Sequence, residues 1–438
     1  MANLQAIYPA HSALDRAVSR TYRRLGLHLM IAYVVAFLDR ANVGYAKQAL
    51  HASAGISDAA YALGAGLFFI TYSLCGFPSN LILYRVGAKI WISLLMVVWG
   101  IASMAMLLVH GDASFYVLRL LGGVAEAGFF PGCILYLTYW FPNRIRGEIL
   151  GFYYLGVPLA LVLGGPLSGL LLDLPAGTGL AGWQWMFLVE GFFAFALGLT
   201  AFYFLDDGPA QAKWLPPDEK QALTEALNQE EAARRSSGPA HLLPMLRDLH
   251  VLRFVLIYGM IQMSIYAAVF YLPTEVATLM HRPQGVAVGL VTAIPWICST
   301  AATYWLPKWG DRAHTHRNLA ALTMVAGGVA GFVFPNAGLV GGILALCVTA
   351  SAFVAVQPLF WTMPTGYLAD AAKAGGIALI GMGNLGGFIA PPLKVWAEQH
   401  FHSPNAGLYL LAAIAAFDGL LIALTRTKSP PPSSPRGA

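Results

Sequence analysis

Twelve apolar segments recur along the chain, each about 20 residues long, the length at which a helix crosses the hydrocarbon core of a bilayer. The chain has 438 residues, of which 58% are hydrophobic and 11% are charged. Soluble domains usually carry about 25% charged residues, so a soluble fold could not cover this much apolar surface. The sequence therefore predicts an all-α membrane protein with twelve transmembrane helices. The approximate segments are 25–46, 59–83, 88–109, 113–140, 146–172, 183–205, 252–272, 284–307, 317–336, 338–362, 375–397 and 405–425.

Basic residues are distributed unevenly between the two sides of these segments. If the N-terminus lies inside, only Lys47 and Arg282 fall in outer loops. Short cytoplasmic loops carry an excess of Lys and Arg, so both termini are predicted to be cytoplasmic. The basic residues that this topology places inside are Arg16, Arg20, Arg23, Arg24, Arg85, Lys89, Arg144, Arg146, Lys308, Arg312, Arg317 and Arg426.

One long polar stretch, residues 206–250, divides the segments into two sets of six. We predict a cytoplasmic linker on the protein surface, with a charged helix over 219–235. The complete predicted organisation is a cytoplasmic N-terminal segment 1–24, a six-helix bundle 25–205, the linker 206–250, a second six-helix bundle 251–425 and a cytoplasmic tail 426–438.

A weak internal repeat relates the two halves, because similar basic loops follow the second and the eighth segment. Two parallel halves around a central site describe the major facilitator architecture. In that architecture these loops form a cytoplasmic gate motif. Its candidate residues are Arg85, Gly87, Lys89, Asp311 and Arg312.

Several segments resemble the anion:cation symporter family within the major facilitator superfamily. The matching segments are Leu38–Leu50, Tyr61–Leu81, Arg119–Pro142, Gly164–Gly169, Val291–Trp296, Val354–Thr365 and Gly383–Pro391. The first and the sixth of these most resemble sugar-acid transporters of the rhamnonate and galactonate type. The resemblance implies proton-coupled uptake of a small organic anion by alternating access, in a bacterial cytoplasmic (inner) membrane.

Four charged residues lie inside the first and the fourth apolar segments. A charge at the bilayer centre costs roughly 2.5–3.5 kcal/mol, so such residues are candidates for function. Asp39 and Arg40 are adjacent and point about 100° apart on a helix, whereas Arg119 and Glu126 share a face about 10.5 Å apart along the axis. We expect Arg40 to face the substrate, Asp39 to pair with Arg119, and Glu126 to face the cavity.

The resemblance gives these charges roles. In the similar sugar-acid transporters the matching acids bind protons and the matching arginine binds the carboxylate, which implies proton coupling through Asp39, Glu126 and Arg119 and substrate binding through Arg40. The alternative is a static network of buried ions that holds the first and fourth helices together.

Polar and aromatic residues elsewhere suit the rest of a sugar-acid site, since hydroxyl groups need amide partners and an aromatic face. The candidate substrate contacts are Tyr72, Gln262, Tyr266, Trp361 and Asn384, although Trp361 could equally serve packing. Three further charged residues in apolar segments are weaker candidates for function. Glu190 is expected to be structural or interfacial, and Lys394 can extend to the membrane interface. Asp418 has no evident partner.

Other functions remain open alternatives. The same arginine would suit import of tartrate, phthalate or another carboxylate. The pattern Gly165-Pro166-x-x-Gly169 resembles a motif of drug/proton antiporters, and a nutrient sensor would bind the anion without moving it. An enzyme is disfavoured because no nucleophile–base pair or phosphate loop is evident.

Few partners are expected beyond the substrate and the lipid bilayer. The four cysteines form no zinc pattern, and no metal or organic cofactor is expected, with protons as the coupling ion. The scattered basic residues argue against nucleic acid. The protein is expected to function as a monomer.

Overall fold

The computed structural model describes residues 12–175, 179–235, 248–313, 315–367, 376 and 379–425. This part of the chain is helical and contains no strand. Its α-helices are α1 (Ala13–Thr21), α2 (Leu27–Ala54), α3 (Asp58–Val86), α4 (Ala88–Ala105), α5 (Gly111–Glu126), α6 (Phe129–Thr138), α7 (Asn143–Tyr154), α8 (Gly156–Leu172), α9 (Gly182–Phe204), α10 (Pro217–Arg235), α11 (Leu249–Met280), α12 (Val286–Ala313), α13 (His316–Val333), α14 (Gly338–Tyr367), α15 (Gly386–His400) and α16 (Ala406–Ala423).

Eleven helical stretches among the described residues are long and apolar enough to cross a membrane. The remaining predicted segment, 375–397, lies partly outside the described residues. Its described part contains a short 3₁₀ turn, Met382–Leu385, followed by α15. The prediction of a helical membrane protein with about twelve spans is therefore confirmed.

The fourth predicted segment, 113–140, is not one continuous helix. α5 ends at Glu126, and α6 begins at Phe129 after a short turn at Ala127 and Gly128. Position 128 requires glycine, because a Cβ atom there would lie 1.7 Å from the Ser79 hydroxyl oxygen on α3. The break leaves Glu126 at the carbonyl end of α5.

The chain divides into two compact units. Unit 1 comprises Met1–Gly238 and Val269–Ala293, and unit 2 comprises Pro239–Ala268 and Ile294–Ala438. Unit 1 thus contains the first six spans together with the C-terminal part of α11 and the N-terminal part of α12. Unit 2 contains the other parts of these two helices and the spans that follow.

Within unit 1, α8 and the start of α12 are packed backbone to backbone. A Cβ atom on Gly289 would lie 2.0 Å from the carbonyl oxygen of Gly165, and one on Gly169 would lie 2.6 Å from that of Gly285. Just beyond α8, the Asp173 carboxylate accepts a hydrogen bond of 2.8 Å from the Val286 backbone N–H at the start of α12. The glycines of the Gly165-Pro166-x-x-Gly169 pattern therefore permit close helix packing, which explains them without drug export.

We expect Gly289→Ala to lower the melting temperature of the purified protein and its yield of monodisperse material. The added methyl group overlaps a backbone carbonyl that cannot move like a flexible side chain, and overpacking costs about 1–3 kcal/mol. Gly151→Ala is the matched control, because no atom lies within 4 Å of its Cβ position. Thermal unfolding in detergent measures both variants; equal melting temperatures would contradict the close packing.

A charged layer at the predicted cytoplasmic side joins α1 to the linker helix α10. Glu219 is buried and forms ion pairs with Arg20, at 2.9 Å, and with Arg16, at 3.4 Å. Arg16 also contacts Asp218 at 2.9 Å. The N–H of Glu219 and the Arg16 guanidinium hold the pKa of Asp218 below its usual value. The linker is thus anchored on unit 1 over α10, and its predicted helix is present.

The loop between α3 and α4 requires glycine at position 87, where φ is +98°. The Asp207 carboxylate accepts a hydrogen bond of 2.9 Å from the Lys89 backbone N–H, at the start of α4. A Cβ on Gly87 would lie 2.9 Å from the same carboxylate. An acid from the linker therefore supports this loop.

Candidate functional site

The central feature of unit 1 is a buried ion pair between Arg40 on α2 and Glu126 on α5. The two side chains are 5% and 2% exposed. The pair lies at the carbonyl end of α5, where the helix dipole favours a cation such as Arg40 and disfavours an anion. Glu126 Oε2 is buried and has no hydrogen-bond partner. The Glu126 carboxylate is therefore held mainly by Arg40.

Aromatic rings surround the guanidinium group of Arg40. Its central carbon lies 5.1 Å from the ring centroid of Phe37, 5.5 Å from that of Phe68 and 4.9 Å from that of Tyr72. Tyr72 also stacks on Phe68 at 5.6 Å. Aromatic faces attract a guanidinium group and leave its edge available for a planar carboxylate. The structure thus places the predicted contacts Arg40 and Tyr72 side by side.

Asp39 points to a different set of partners from Arg40, as its adjacent position on a helix requires. Its carboxylate accepts hydrogen bonds from Trp99 Nε1 at 2.7 Å, from Asn42 Nδ2 at 3.1 Å and from the Ser103 hydroxyl. Sequence reasoning missed these three partners. Of them, Asn42 could have been found, because it lies one turn after Asp39 on the same helix.

The expected ion pair between Asp39 and Arg119 is not formed in the described part of the chain. Arg119 donates instead to the backbone carbonyls of Gly64 and Ala65, at 3.4 and 3.5 Å, and lies 4.7 Å from the Phe68 ring centroid. Arg119 still interacts electrostatically with Asp39. The expected direct contact was wrong because Arg119 is satisfied by carbonyls of α3.

Glu126 was expected to face the cavity, and Arg40 to face the substrate. The structure joins these two residues to each other instead. The four charges predicted to form one site are therefore grouped within unit 1, but in a different pairing.

Unit 2 contains a chain of three side-chain amides. Gln357 Nε2 donates to Gln262 Oε1 at 3.0 Å, Gln262 Nε2 donates to Asn384 Oδ1, and Asn384 Nδ2 donates to the Gly381 carbonyl at 2.9 Å. Gln262 and Asn384 were predicted as substrate contacts. Gln357 was missed as an individual residue, although it lies inside the Val354–Thr365 segment that carries the family resemblance.

The other predicted contacts of unit 2 are aromatic. Tyr266 is buried and follows Gln262 by one turn of α11. Trp361 is half-buried and packs on Tyr258 at 5.1 Å and on Phe360 at 5.4 Å. These contacts assign Trp361 a packing role and leave its role toward substrate a prediction.

The predicted gate residues are described only for the first half. Arg85 is exposed, Gly87 has the left-handed backbone described above, and Lys89 begins α4. The side chains of Asp311 and Arg312 lie outside the described residues, as does Arg426.

Three further charges, given little weight from sequence, have distinct surroundings. Glu190 accepts a hydrogen bond of 2.9 Å from Ser168. Lys394 pairs with Glu398 at 2.5 Å, one turn later on α15. Both carboxylate oxygens of Asp418 are buried and have no hydrogen-bond partner, and we have no physical account of them.

The apolar helices, with charged side chains buried among them, are those of a membrane protein. A model of the Major Facilitator Superfamily matches residues 29–391. The chain belongs to this superfamily, which confirms the family resemblance of the sequence.

Relatives extend the match over nearly the whole chain. The inner membrane transport protein RhmT of Escherichia coli (strain K12) is 44% identical over 93% of this chain and 95% of its own. A putative tartrate transporter of Agrobacterium vitis is 37% identical over 95% of this chain and 92% of its own. The solved structure of a D-xylose-proton symporter shares the fold, with a TM-score of 0.72 at 16% identity, and covers 93% of this chain and 100% of that chain. The protein is thus a multi-pass secondary transporter with a small-molecule substrate.

Proposed function

We propose that the protein couples proton influx to the uptake of a small organic anion, most simply an aldonate-type sugar acid such as rhamnonate or galactonate. The observation that carries the proposal is the buried Arg40–Glu126 ion pair. Arginine can bind a carboxylate in bidentate geometry, and here the Arg40 guanidinium group already pairs with a carboxylate of the protein.

Charge balance links the anion to a proton. If a substrate carboxylate joined Arg40 while Glu126 stayed ionised, two negative charges would share one buried cation, and uncompensated buried charge costs several kcal/mol. If Glu126 takes a proton, it releases Arg40, the substrate carboxylate replaces it, and the net charge of the site is unchanged. One anion therefore enters the site together with one proton.

Two features support a polyhydroxylated acid. The amides of Gln262, Gln357 and Asn384 offer hydrogen-bond donors and acceptors of the kind that hydroxyl groups require. The sequence motifs most resemble sugar-acid transporters. Tartrate, which is named for one of the relatives, is a shorter hydroxylated diacid and is the alternative substrate.

The test uses purified protein in liposomes and four radiolabelled acids: rhamnonate, galactonate, tartrate and phthalate. Counterflow identifies the substrate, and uptake driven by an inward proton gradient, with a protonophore as control, tests coupling. We expect counterflow of an aldonate and protonophore-sensitive accumulation. Accumulation that follows a sodium gradient instead, or counterflow of none of the four acids, would overturn the proposal.

Asp39→Asn is expected to abolish proton-driven accumulation of the transported acid. The asparagine amide keeps the size of the side chain and can still hydrogen-bond to Ser103, but it cannot take up a proton. Accumulation against a gradient under a fixed proton gradient measures the effect. Intact proton-driven accumulation by this variant would show that Asp39 is not a coupling group.

A further inference from the structure

Glu190 is a buried acid to which the transport scheme above gives no role. It lies on α9 and is 1% exposed. Its Oε1 accepts a hydrogen bond from the Ser168 hydroxyl at 2.9 Å, whereas its Oε2 is buried without a donor. The groups that interact with it are Ser168, Asp39 and Asn42, none of which is a cation. A carboxylate anion in such surroundings is costly unless a proton neutralises it.

Asn42 connects Glu190 to the coupling acid Asp39. Its Nδ2 donates to Asp39 Oδ1 at 3.1 Å, and its side chain also interacts with the Glu190 carboxyl group. Asn42 Oδ1 is buried and lacks a donor, as does Glu190 Oε2. Two neighbouring side chains thus each present an acceptor atom without a donor.

A proton on Glu190 supplies the missing donor. The Glu190 hydroxyl would donate to Asn42 Oδ1, while Asn42 Nδ2 continues to donate to the Asp39 carboxylate. If the Asn42 amide is rotated by 180°, its Oδ1 faces Asp39. Asp39 must then hold the proton in order to donate a hydrogen bond to that oxygen. In either orientation the two acids together hold one proton. When Glu190 holds it, the negative charge remains on Asp39, which interacts with Arg119.

We propose that Asp39 and Glu190 form a coupled pair of acids that shares one proton through Asn42, so that Glu190 is a positioning residue for the proton bound at Asp39. A proton that Asp39 carries across the membrane is then this shared one, which the pair loses last because its loss leaves two neighbouring carboxylates. This inference deepens the proposed function and rests on it.

Few other ionisable groups face Glu190. α9 packs against α2, α4, α8 and the 3₁₀ turn Met106–Leu108. Asp39 is the ionisable group that α2 presents; Trp99 and Ser103 of α4 and Ser168 of α8 carry no charge. Asn42 follows Asp39 by one turn toward the C-terminal end of α2, which is the predicted outer end. Glu190 therefore interacts with the outward side of the Asp39 site.

The main test is the pH dependence of proton-driven uptake by Glu190→Gln in liposomes. The glutamine amide can donate to Asn42 Oδ1, so packing is kept, but the like-charged neighbour of Asp39 is lost. Because a neighbouring acid opposes loss of the last proton, we expect the alkaline limb of the pH profile to move to lower pH by roughly one unit or more. Ser168→Ala is the matched control, because it removes a hydrogen bond from Glu190 but keeps both acids, so its limb should not move to lower pH.

Asn42→Ala is a second variant, for which the alkaline limb of the pH profile is expected to move in the opposite direction. It removes a donor that favours the Asp39 anion, so the alkaline limb should move to higher pH. If Glu190→Gln fails to fold, a wild-type limb in Asn42→Ala still contradicts the link through Asn42. Wild-type pH profiles for both folded variants would overturn the proposal and would assign Glu190 a structural role.

Infrared spectroscopy separates this inference from the transport proposal. The difference spectrum between the wild type and Glu190→Gln at neutral pH should contain the C=O band of a protonated carboxyl group, whether or not any of the four acids is transported. Loss of proton-driven uptake in the wild type itself would contradict the proposed function, whereas absence of this band would contradict only the shared proton.

Discussion

Replacing Arg40 with lysine is expected to reduce anion uptake by roughly 100-fold, which corresponds to about 3 kcal/mol of lost binding. Lysine keeps the positive charge and can still pair with Glu126, but it is a point charge without the planar fork that holds a carboxylate in two places. It also loses the stacking of the flat guanidinium group among Phe37, Phe68 and Tyr72. The loss should appear as weaker binding, measured by the concentration dependence of counterflow.

The control for this variant is Arg16→Lys. Arg16 also pairs with acids, but its side chain is 40% exposed and it lies in the charged layer that joins α1 to α10. Exposed ion pairs contribute about 0–1 kcal/mol, so this variant should transport like the wild type. Wild-type affinity in Arg40→Lys, with normal thermal stability, would show that the substrate carboxylate binds elsewhere.

Much of the fold could be predicted from the sequence, because bilayer thickness sets the length of every span. The helical spans and the helix over the linker followed from hydropathy and polar composition. The close approach of the Ser79 hydroxyl to Gly128 could not be predicted, because it joins two different helices. The contact between Asp207 and the Gly87 loop could not be predicted either, because Asp207 is distant from this loop in the sequence.

The members of the buried charge network were predictable, but their pairing was not. A charged residue in an apolar segment can be recognised from composition alone, and helical periodicity shows that Asp39 and Arg40 face different neighbours. Periodicity does not show which residue of another helix lies opposite. Carbonyls of α3 satisfy Arg119, so Arg40 rather than Arg119 pairs with an acid.

Glu126→Gln tests the function of the Arg40 pair directly, and we expect it to separate binding from coupling. Glutamine has nearly the same volume and can accept a hydrogen bond from Arg40, but it offers no negative charge to compete with the substrate. Counterflow, which needs no net proton movement, should therefore persist, with affinity for the anion as high as that of the wild type or higher. Proton-driven accumulation should be lost, since no proton is needed to release Arg40.

The pH dependence of binding distinguishes this role from a static ion network. In the wild type, a substrate carboxylate displaces Glu126 only when a proton neutralises it, so affinity should fall as the pH rises. In Glu126→Gln the affinity should become nearly independent of pH. A purely structural pair predicts a different result: removing one partner of a buried ion pair destabilises by about 3–5 kcal/mol, so the variant would lose stability while its remaining transport kept the wild-type pH dependence. Thermal unfolding and pH-dependent counterflow on the same preparation therefore decide whether the Arg40–Glu126 pair couples the proton to the anion.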